Sequence, residues 1–455
     1  MADFDLLLSD GLIVYPGRGC EPGSVGVRDG RIAAILAPGE TAGAKRTLRC
    51  EGRWIMPGVI DAHAHFGFGV PEQDFVTESR FAALGGTTTV LSFWRTKDFL
   101  AKFPDELARS RTQSFVDYGY HFGITEHAHV GMLEESVKRF GISSYKLYLM
   151  YKGSFGLSKG FTEIDDGLLF AAMEQVAKMP GALLSVHCEN TEVIPYLRDK
   201  VMRAGIEGLP AWDAQSPDFL EAENVHRACY FGRITGCPIN IVHLSSAEAL
   251  NEVRRHLVVP GQPAIHVETC PHYLHFTKDS ACGELAKVNP PVRVKKDQDA
   301  MWQGILDGVV DTVGSDHVAR KRETKLGGIW KATAGFPGTG MILPVLLHQG
   351  HKLRGIAPEV IAAVTSRNVA RLYHLHRKGD IVVGYDADFA IVDPALTRKV
   401  DPAAMESHSD YSPYEGEALT GWPVATVLRG KVIMESGKLA GEAGQGQYQE
   451  RRPRA

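Results

Sequence analysis

Long apolar runs are missing from this chain of 455 residues. A helix that crosses a bilayer needs about 20 consecutive apolar residues, so no membrane span is expected. The opening Met1-Ala2-Asp3-Phe4-Asp5 lacks the basic start of a secretory signal, and the following Leu6-Leu7-Leu8 is too short for its apolar stretch. Strong charge of one sign is also missing: 50 basic against 54 acidic residues leave a formal net charge of -4. That balance gives no reason to expect nucleic acid or another polyanion as partner, and it favours a small-molecule substrate. Paired cysteines are absent too. The 7 cysteines, at positions 20, 50, 188, 229, 237, 270 and 282, are odd in number, scattered, and form no C-x-x-C motif. They read as reduced thiols of a cytoplasmic protein, which argues against a thiolate zinc site.

What is present is ordinary globular material, 44% hydrophobic and 23% charged, long enough for a large core and two domains. Residues 1–56 carry short strand patterns at Asp5–Ser9, Leu12–Tyr15, Val25–Arg28 and Arg31–Ile35, with turn signals such as Asp29-Gly30 between them. After Pro57-Gly58 the pattern changes to apolar strand cores separated by longer helical stretches. Eight such cores are expected, at Val59–His63, Thr87–Phe93, Tyr118–Ile124, Tyr145–Leu149, Leu183–His187, Ile239–His243, Ile265–Thr269 and Val310–Ser315. Repeated β/α units in that number predict an α/β fold, a (β/α)8 TIM-like barrel over residues 57–373. Strand and turn patterns return over residues 374–440, at Gly379–Gly384, Phe389–Val392 and Val424–Met434. The two ends of the chain are therefore expected to pair as one small β-sandwich domain. Residues 441–455, rich in Gly, Gln and Arg, read as an extended or loosely ordered tail.

Five of the eight expected strands carry a residue able to bind a metal near or just past their C-terminal ends, where barrel active sites form. The first holds Asp61-Ala62-His63-Ala64-His65, whose two imidazoles share one side of an extended chain. Lys146 lies on the fourth, His187 ends the fifth, His243 ends the sixth, and Asp316 follows the eighth. Each residue alone has a plainer reading. A single barrel histidine is usually packed or hydrogen-bonded, and a lysine between tyrosines in Ser144-Tyr145-Lys146-Leu147-Tyr148 is ordinarily a snorkelling or ion-paired side chain. Agreement of position across five strands favours the metal reading. Nitrogen donors with one carboxylate suit zinc or a similar divalent ion, and the count suggests more than one ion.

These segments resemble the hydantoinase and dihydropyrimidinase family of cyclic amidohydrolases. The likeness runs through Pro57-Gly58-Val59-Ile60-Asp61-Ala62-His63-Ala64-His65, through Ser144 to Gly153, and through Val186-His187-Cys188-Glu189-Asn190. It continues with Ile241-Val242-His243-Leu244-Ser245-Ser246, Glu268-Thr269-Cys270-Pro271-His272, Asn289-Pro290-Pro291-Val292-Arg293 and Gly314-Ser315-Asp316-His317, and reaches Ser412-Pro413-Tyr414-Glu415-Gly416 and Gly421-Trp422-Pro423-Val424. The resemblance implies two divalent ions, with zinc expected, and a Lys146 carboxylated to a carbamate (N6-carboxylysine) that bridges them. One ion would take His63, His65, the carbamate and Asp316, and the other the carbamate, His187 and His243, with a hydroxide between them. By the same resemblance Asp316 shuttles the proton, Tyr151 hydrogen-bonds the developing oxyanion, Asn289 and Gly335 contact the ring amide through backbone groups, and the chain assembles as a homotetramer.

The pattern also departs from relatives. Dihydroorotases carry an arginine where this chain has Gly67, although Arg95 or Arg293 could serve an anionic substrate. Hydantoinases usually have a serine where Asn289 stands and an asparagine in the loop here written Ala334-Gly335-Phe336-Pro337-Gly338. Phe66, Phe68, Phe75, Phe93 and Trp94 make the expected mouth aromatic, either as a pocket for an apolar substituent, with Phe66 and Trp94 touching substrate, or as packing of the barrel rim. Allantoinase or dihydroorotase-like ring opening is the alternative activity. A phosphotriesterase or deaminase on the same scaffold, or a non-catalytic assembly protein, fits the filled ligand positions less well.

Overall fold

The computed structural model describes residues 3–158 and 161–453. The N-terminal segment forms β1 (Phe4–Tyr15), β2 (Gly19–Arg28), β3 (Arg31–Leu36), β4 (Ala44–Arg49) and β5 (Trp54–Pro57). The two strands expected at Asp5–Ser9 and Leu12–Tyr15 are one. Pairing of β1 with β2 slips by a residue between Leu8 and Gly11, where Asp10 takes a φ of 59°. Side chains alternate with period two, so this bulge restores parity and turns Ile13 to the same core as Leu6 and Leu8. Beyond the bulge β1 also changes its other neighbour, from β4 to β5, both parallel to it.

Eight strands follow in a second sheet: β6 (Val59–Ala64), β7 (Thr87–Trp94), β8 (Asp117–Ile124), β9 (Ser144–Tyr148), β10 (Leu183–His187), β11 (Ile239–Ile241), β12 (Ile265–Thr269) and β13 (Thr312–Val313). They pair in sequence order, every pair parallel. Nearly every residue in them is buried, as expected for strands covered on both faces. The ring closes where a bridge joins Ala64 to His317 and the His65 amide donates to the His317 carbonyl at 2.9 Å. The expected barrel is thus observed, with two strands shorter than anticipated. The chain leaves β11 and β13 early to place His243 and Asp316 at the rim.

The chain then returns to the first sheet with β14 (Phe389–Lys399), β15 (Ala418–Leu428), β16 (Lys431–Glu435) and β17 (Lys438–Leu439). β14 pairs antiparallel with β5, so both chain ends share one mostly antiparallel nine-stranded sheet separate from the barrel. Its core joins Leu8, Val25 and Ile55 from one end to Phe389, Ile391 and Val427 from the other. The tight turns at Asp29-Gly30 (φ 52° and 74°) and Arg429-Gly430 (φ 44° and 75°) have both central residues left-handed, which matches the twist of their hairpins. Gly379–Gly384 is not the expected strand. It runs as turns between left-handed Gly379 and Gly384, and only the Gly384 amide reaches β3, at the Ile32 carbonyl.

The tail also differs from expectation. Residues 441–453 lie against the N-terminal end of the barrel, where the Tyr118 amide donates to the Gln447 carbonyl at 3.0 Å and the Gln449 amide to the Tyr118 carbonyl at 2.7 Å. Arg451 is fully buried, with its guanidinium on Ser144 Oγ and the Tyr120 carbonyl. Hydrogen bonds to barrel backbone order a segment whose composition suggested looseness. Among the described residues no helix is long and apolar enough to cross a membrane.

Candidate metal centre

All six expected ligands line one cavity of about 510 Å³ at the C-terminal mouth of the barrel, together with Tyr151, Asn289 and Gly335. His63 and Lys146 come from within β6 and β9, and His187 ends β10, while His65, His243 and Asp316 lie just beyond β6, β11 and β13. His243 and Asp316 take φ values of 44° and 50°. Left-handed backbone at a residue other than glycine costs about 1–3 kcal/mol and persists only where the surroundings enforce it. Here it aims both side chains into the mouth.

Buried acids on the far side of the rings set the donor geometry. His63 Nδ1 meets Glu268 Oε1 at 2.5 Å, so Nε2 faces the cavity. That nitrogen lies 3.1 Å from Asp316 Oδ1 yet makes no hydrogen bond, and His65 Nε2 is also 3.1 Å from Asp316 Oδ1. Donors about 2.0–2.1 Å from a tetrahedral ion stand about 3.3 Å apart, so this trio fits one ion. In the same cavity His187 Nδ1 and His243 Nε2 face each other at 2.8 Å, while Glu189 Oε2 holds His187 Nε2 at 3.2 Å and Ser216 Oγ holds the other oxygen of Glu189. His65 Nδ1 and His243 Nδ1 are buried without a partner. Orphaned ring nitrogens in a buried cluster are costly unless something else binds there, and the donor set is that of a borderline divalent ion.

Protonation follows from burial. It pushes His65 down to about 4 and lowers His187 and His243, so these rings are neutral and carry the lone pairs a cation needs. At His63 burial is outweighed by the Glu268 and Asp316 carboxylates, which raise its value. Asp316 is buried as well, yet His63 and His65 hold it well below the usual carboxylate range. Burial lowers the Lys146 amine to about 8, and its Nζ sits 4.9 Å over the Phe93 ring. That shift enlarges the unprotonated share of the amine near neutral pH, and the unprotonated amine is the form that can add carbon dioxide.

Beneath the ligands, Asp61 accepts from the His63 amide at 3.1 Å, the Ser315 amide at 3.0 Å, Ser315 Oγ at 2.6 Å and Thr339 Oγ1 at 2.7 Å. It ties the two ends of the barrel's closing seam to each other. Asp61, Glu189 and Glu268 carry no role that the sequence alone reveals. Their only signal is an acid within or beside an otherwise apolar strand.

The aromatic residues are corrected in part. Phe66 and Trp94 do not line the cavity. Phe66 packs against Phe75 and His317, and Trp94 against Phe103 and Phe122, inside the barrel wall. Phe93 stacks on His121 beneath the ligand histidines, and of these rings only Phe68 reaches the cavity lining. Arg293 is spent on Asp213 at 3.0 Å and Ser245 Oγ at 3.1 Å, whereas Arg95 is in the lining.

The fold and mouth define a barrel hydrolase built to hold metal. Residues 54–433 match the amidohydrolase family. A D-hydantoinase of Rhizobium radiobacter is 34% identical, over 98% of this chain and 99% of its own. An allantoinase of Rubrobacter xylanophilus is 33% identical, over 98% and 97%. Among solved structures, the L-hydantoinase (dihydropyrimidinase) from Arthrobacter aurescens superposes with a TM-score of 0.89 at 30% identity, over 98% of this chain and 99% of that one. This chain belongs to the amidohydrolase family.

Proposed function

We propose that this enzyme opens a hydantoin-like or dihydropyrimidine-like ring by hydrolysing its amide C–N bond, with two divalent ions, zinc foremost, at the mouth of the barrel. The observation that carries the reading is the convergence of His63, His65, Lys146, His187, His243 and Asp316 on one cavity. Full-length likeness to proteins named hydantoinase supports it. In this reading the ions would be held by a carbamate on Lys146 together with His63, His65 and Asp316 for one and His187 and His243 for the other. When bound, the ions supply Lewis acidity that lowers the pKa of water and polarises the scissile carbonyl.

The chain's own groups do the rest. The ionised Asp316 carboxylate takes the proton released as water adds to the carbonyl carbon, and returns it to the ring nitrogen as the C–N bond breaks. Tyr151 donates its hydroxyl to the carbonyl oxygen as that atom gains charge. Asn289 and Gly335 hold the ring amide through backbone groups. At Gly335, where φ is 91°, a side chain would press on Val318 at 3.0 Å. Asn289 is steadied by Trp212 Nε1, which donates to its Oδ1 at 3.1 Å.

A homotetramer in the cytoplasm belongs to the same reading, supported by the family resemblance and the reduced, scattered cysteines. Allantoin opening is the second reading, since relatives with both names match at similar identity. Rates of ring opening by the zinc-loaded enzyme on hydantoin, phenylhydantoin, dihydrouracil, allantoin and phthalimide test the proposal. Fastest turnover of a hydantoin or dihydrouracil is expected. Preference for allantoin would select the second reading, and no hydrolysis of any ring would contradict both.

A further inference from the structure

The lining of the cavity is unevenly charged. Besides Lys146 it holds Arg95, Arg198, Lys287, Arg320 and Lys331, against one carboxylate, Asp316, which is already given to the metal site. Two of these cations are engaged by neighbours, and one is at the rim. Lys287 Nζ donates to the carbonyls of Ile329 and Ala332, both at 2.5 Å, and lies 3.8 Å over the Trp212 ring. Arg198 Nε donates to Gln215 Oε1 at 2.7 Å, and Lys331 is solvent-exposed.

Arg95 and Arg320 are different. The Arg95 guanidinium is surrounded by rings, 4.6 Å from Phe68, 5.0 Å from Tyr151 and 5.2 Å from Phe161. Among the described residues no carboxylate oxygen comes within the 4.0 Å of an ion pair to either arginine. Arg320 Nε is buried without a hydrogen-bond partner. Burial first, and the Arg95 charge among smaller causes, lower Arg320 from its ordinary value. Two neighbouring guanidinium groups that repel each other, partly desolvated and without an acid, are unfavourable unless a ligand brings the anion. A guanidinium fork matches a carboxylate in geometry, and both arginines line the cavity that holds Tyr151, the residue assigned to the scissile carbonyl, with Arg95 5.0 Å from its ring.

We propose that Arg95 and Arg320 form an anion-binding subsite beside the metal centre, and that the ring this enzyme opens carries a carboxylate on its substituent. The inference rests on the ring-opening reading above and narrows its substrate class. It replaces the apolar-pocket alternative raised for the aromatic residues, since the rings near this position embrace a cation.

The test compares hydantoin acetic acid with hydantoin acetamide, which has the same shape and no charge. For the zinc-loaded enzyme kcat/KM is expected to favour the acid by about tenfold or more, the effect of one good charged hydrogen-bond pair. Raising salt should shrink that preference. Arg95→Gln and Arg320→Gln should each lower kcat/KM for the acid about tenfold more than for the amide. Equal or faster opening of the amide, or variants that keep the wild-type preference, would overturn the subsite. Calorimetric binding of the acid and the amide to the wild type and both variants reads the same contrast without turnover. Hydrolysis of plain hydantoin separates the two failures: if it proceeds while the acid shows no advantage, only the subsite is wrong, and if no ring is opened yet the acid binds through the arginines, only the ring-opening reading is.

Discussion

His63 turns its Nδ1 to Glu268 Oε1 across 2.5 Å of buried space, and this contact decides that Nε2 faces the cavity. The two residues are 205 positions apart, on β6 and β12. A carboxylate behind a ligand histidine fixes the ring and raises its donor strength, and losing such support typically costs about 10–100-fold in metal affinity. Glu268→Gln should therefore release zinc to a competing chelator at a correspondingly lower chelator concentration, with the circular dichroism of the fold unchanged. Retention equal to wild type would show that the contact does not tune the site.

Asp316 is held ionised by His63 and His65, and in the proposed mechanism it carries the proton. Asparagine keeps the shape but cannot accept the proton. Asp316→Asn should lower kcat by about 10²–10⁴-fold, measured with the metal content of the variant alongside, since the residue is also a proposed ligand. A variant with full metal content and near wild-type kcat would remove Asp316 from the chemistry.

Tyr151 lines the same cavity, with its ring stacked 4.5 Å from Phe161. Phenylalanine preserves that stacking and deletes only the hydroxyl. Tyr151→Phe should lower kcat by about 10²–10³-fold with a smaller change in KM, because a hydrogen bond to a developing oxyanion strengthens in the transition state. A loss confined to KM would make Tyr151 a ground-state contact.

The barrel was legible because strands buried on both faces read as short apolar runs, and β10 and β12 match their expected limits residue for residue. The candidate ligands were legible as a group because they recur at strand ends, and they line one cavity. Their supports were not. Asp61 acts on Ser315, 254 residues away, and nothing local announces that partnership. Phe66 and Trp94 were misplaced for a related reason. The pairing of β6 with β7 shifts between Asp61 and Ala64, so alternation does not tell which side of the wall a following ring will face. Arg95 reads in the sequence as one of two cations, with Arg293, able to serve an anionic substrate, and that it has no acid partner among the described residues while Arg293 has Asp213 is visible only once every neighbouring acid has a position.

Arg451 illustrates the same limit in the tail. Its guanidinium binds Ser144 Oγ and the Tyr120 carbonyl inside the barrel floor, although it belongs to a segment that reads as loose. Arg451→Ala would leave a cavity and strand an acceptor, at a cost of about 2–4 kcal/mol. Urea unfolding should show that loss as a lower midpoint, with the metal content of the folded enzyme unchanged. An unaltered midpoint would mean that the tail docks without contributing to stability.

The central claim is a binuclear centre bridged by a carbamate on Lys146. The most direct test is the metal count per chain of enzyme prepared with zinc and isotopically labelled bicarbonate, read together with the carbamate carbon by nuclear magnetic resonance. Two zinc ions and one labelled carbamate per chain are expected in the wild type, with loss of the carbamate and of at least one ion in Lys146→Ala. An unmodified Lys146 with no more than one ion per chain would contradict that claim.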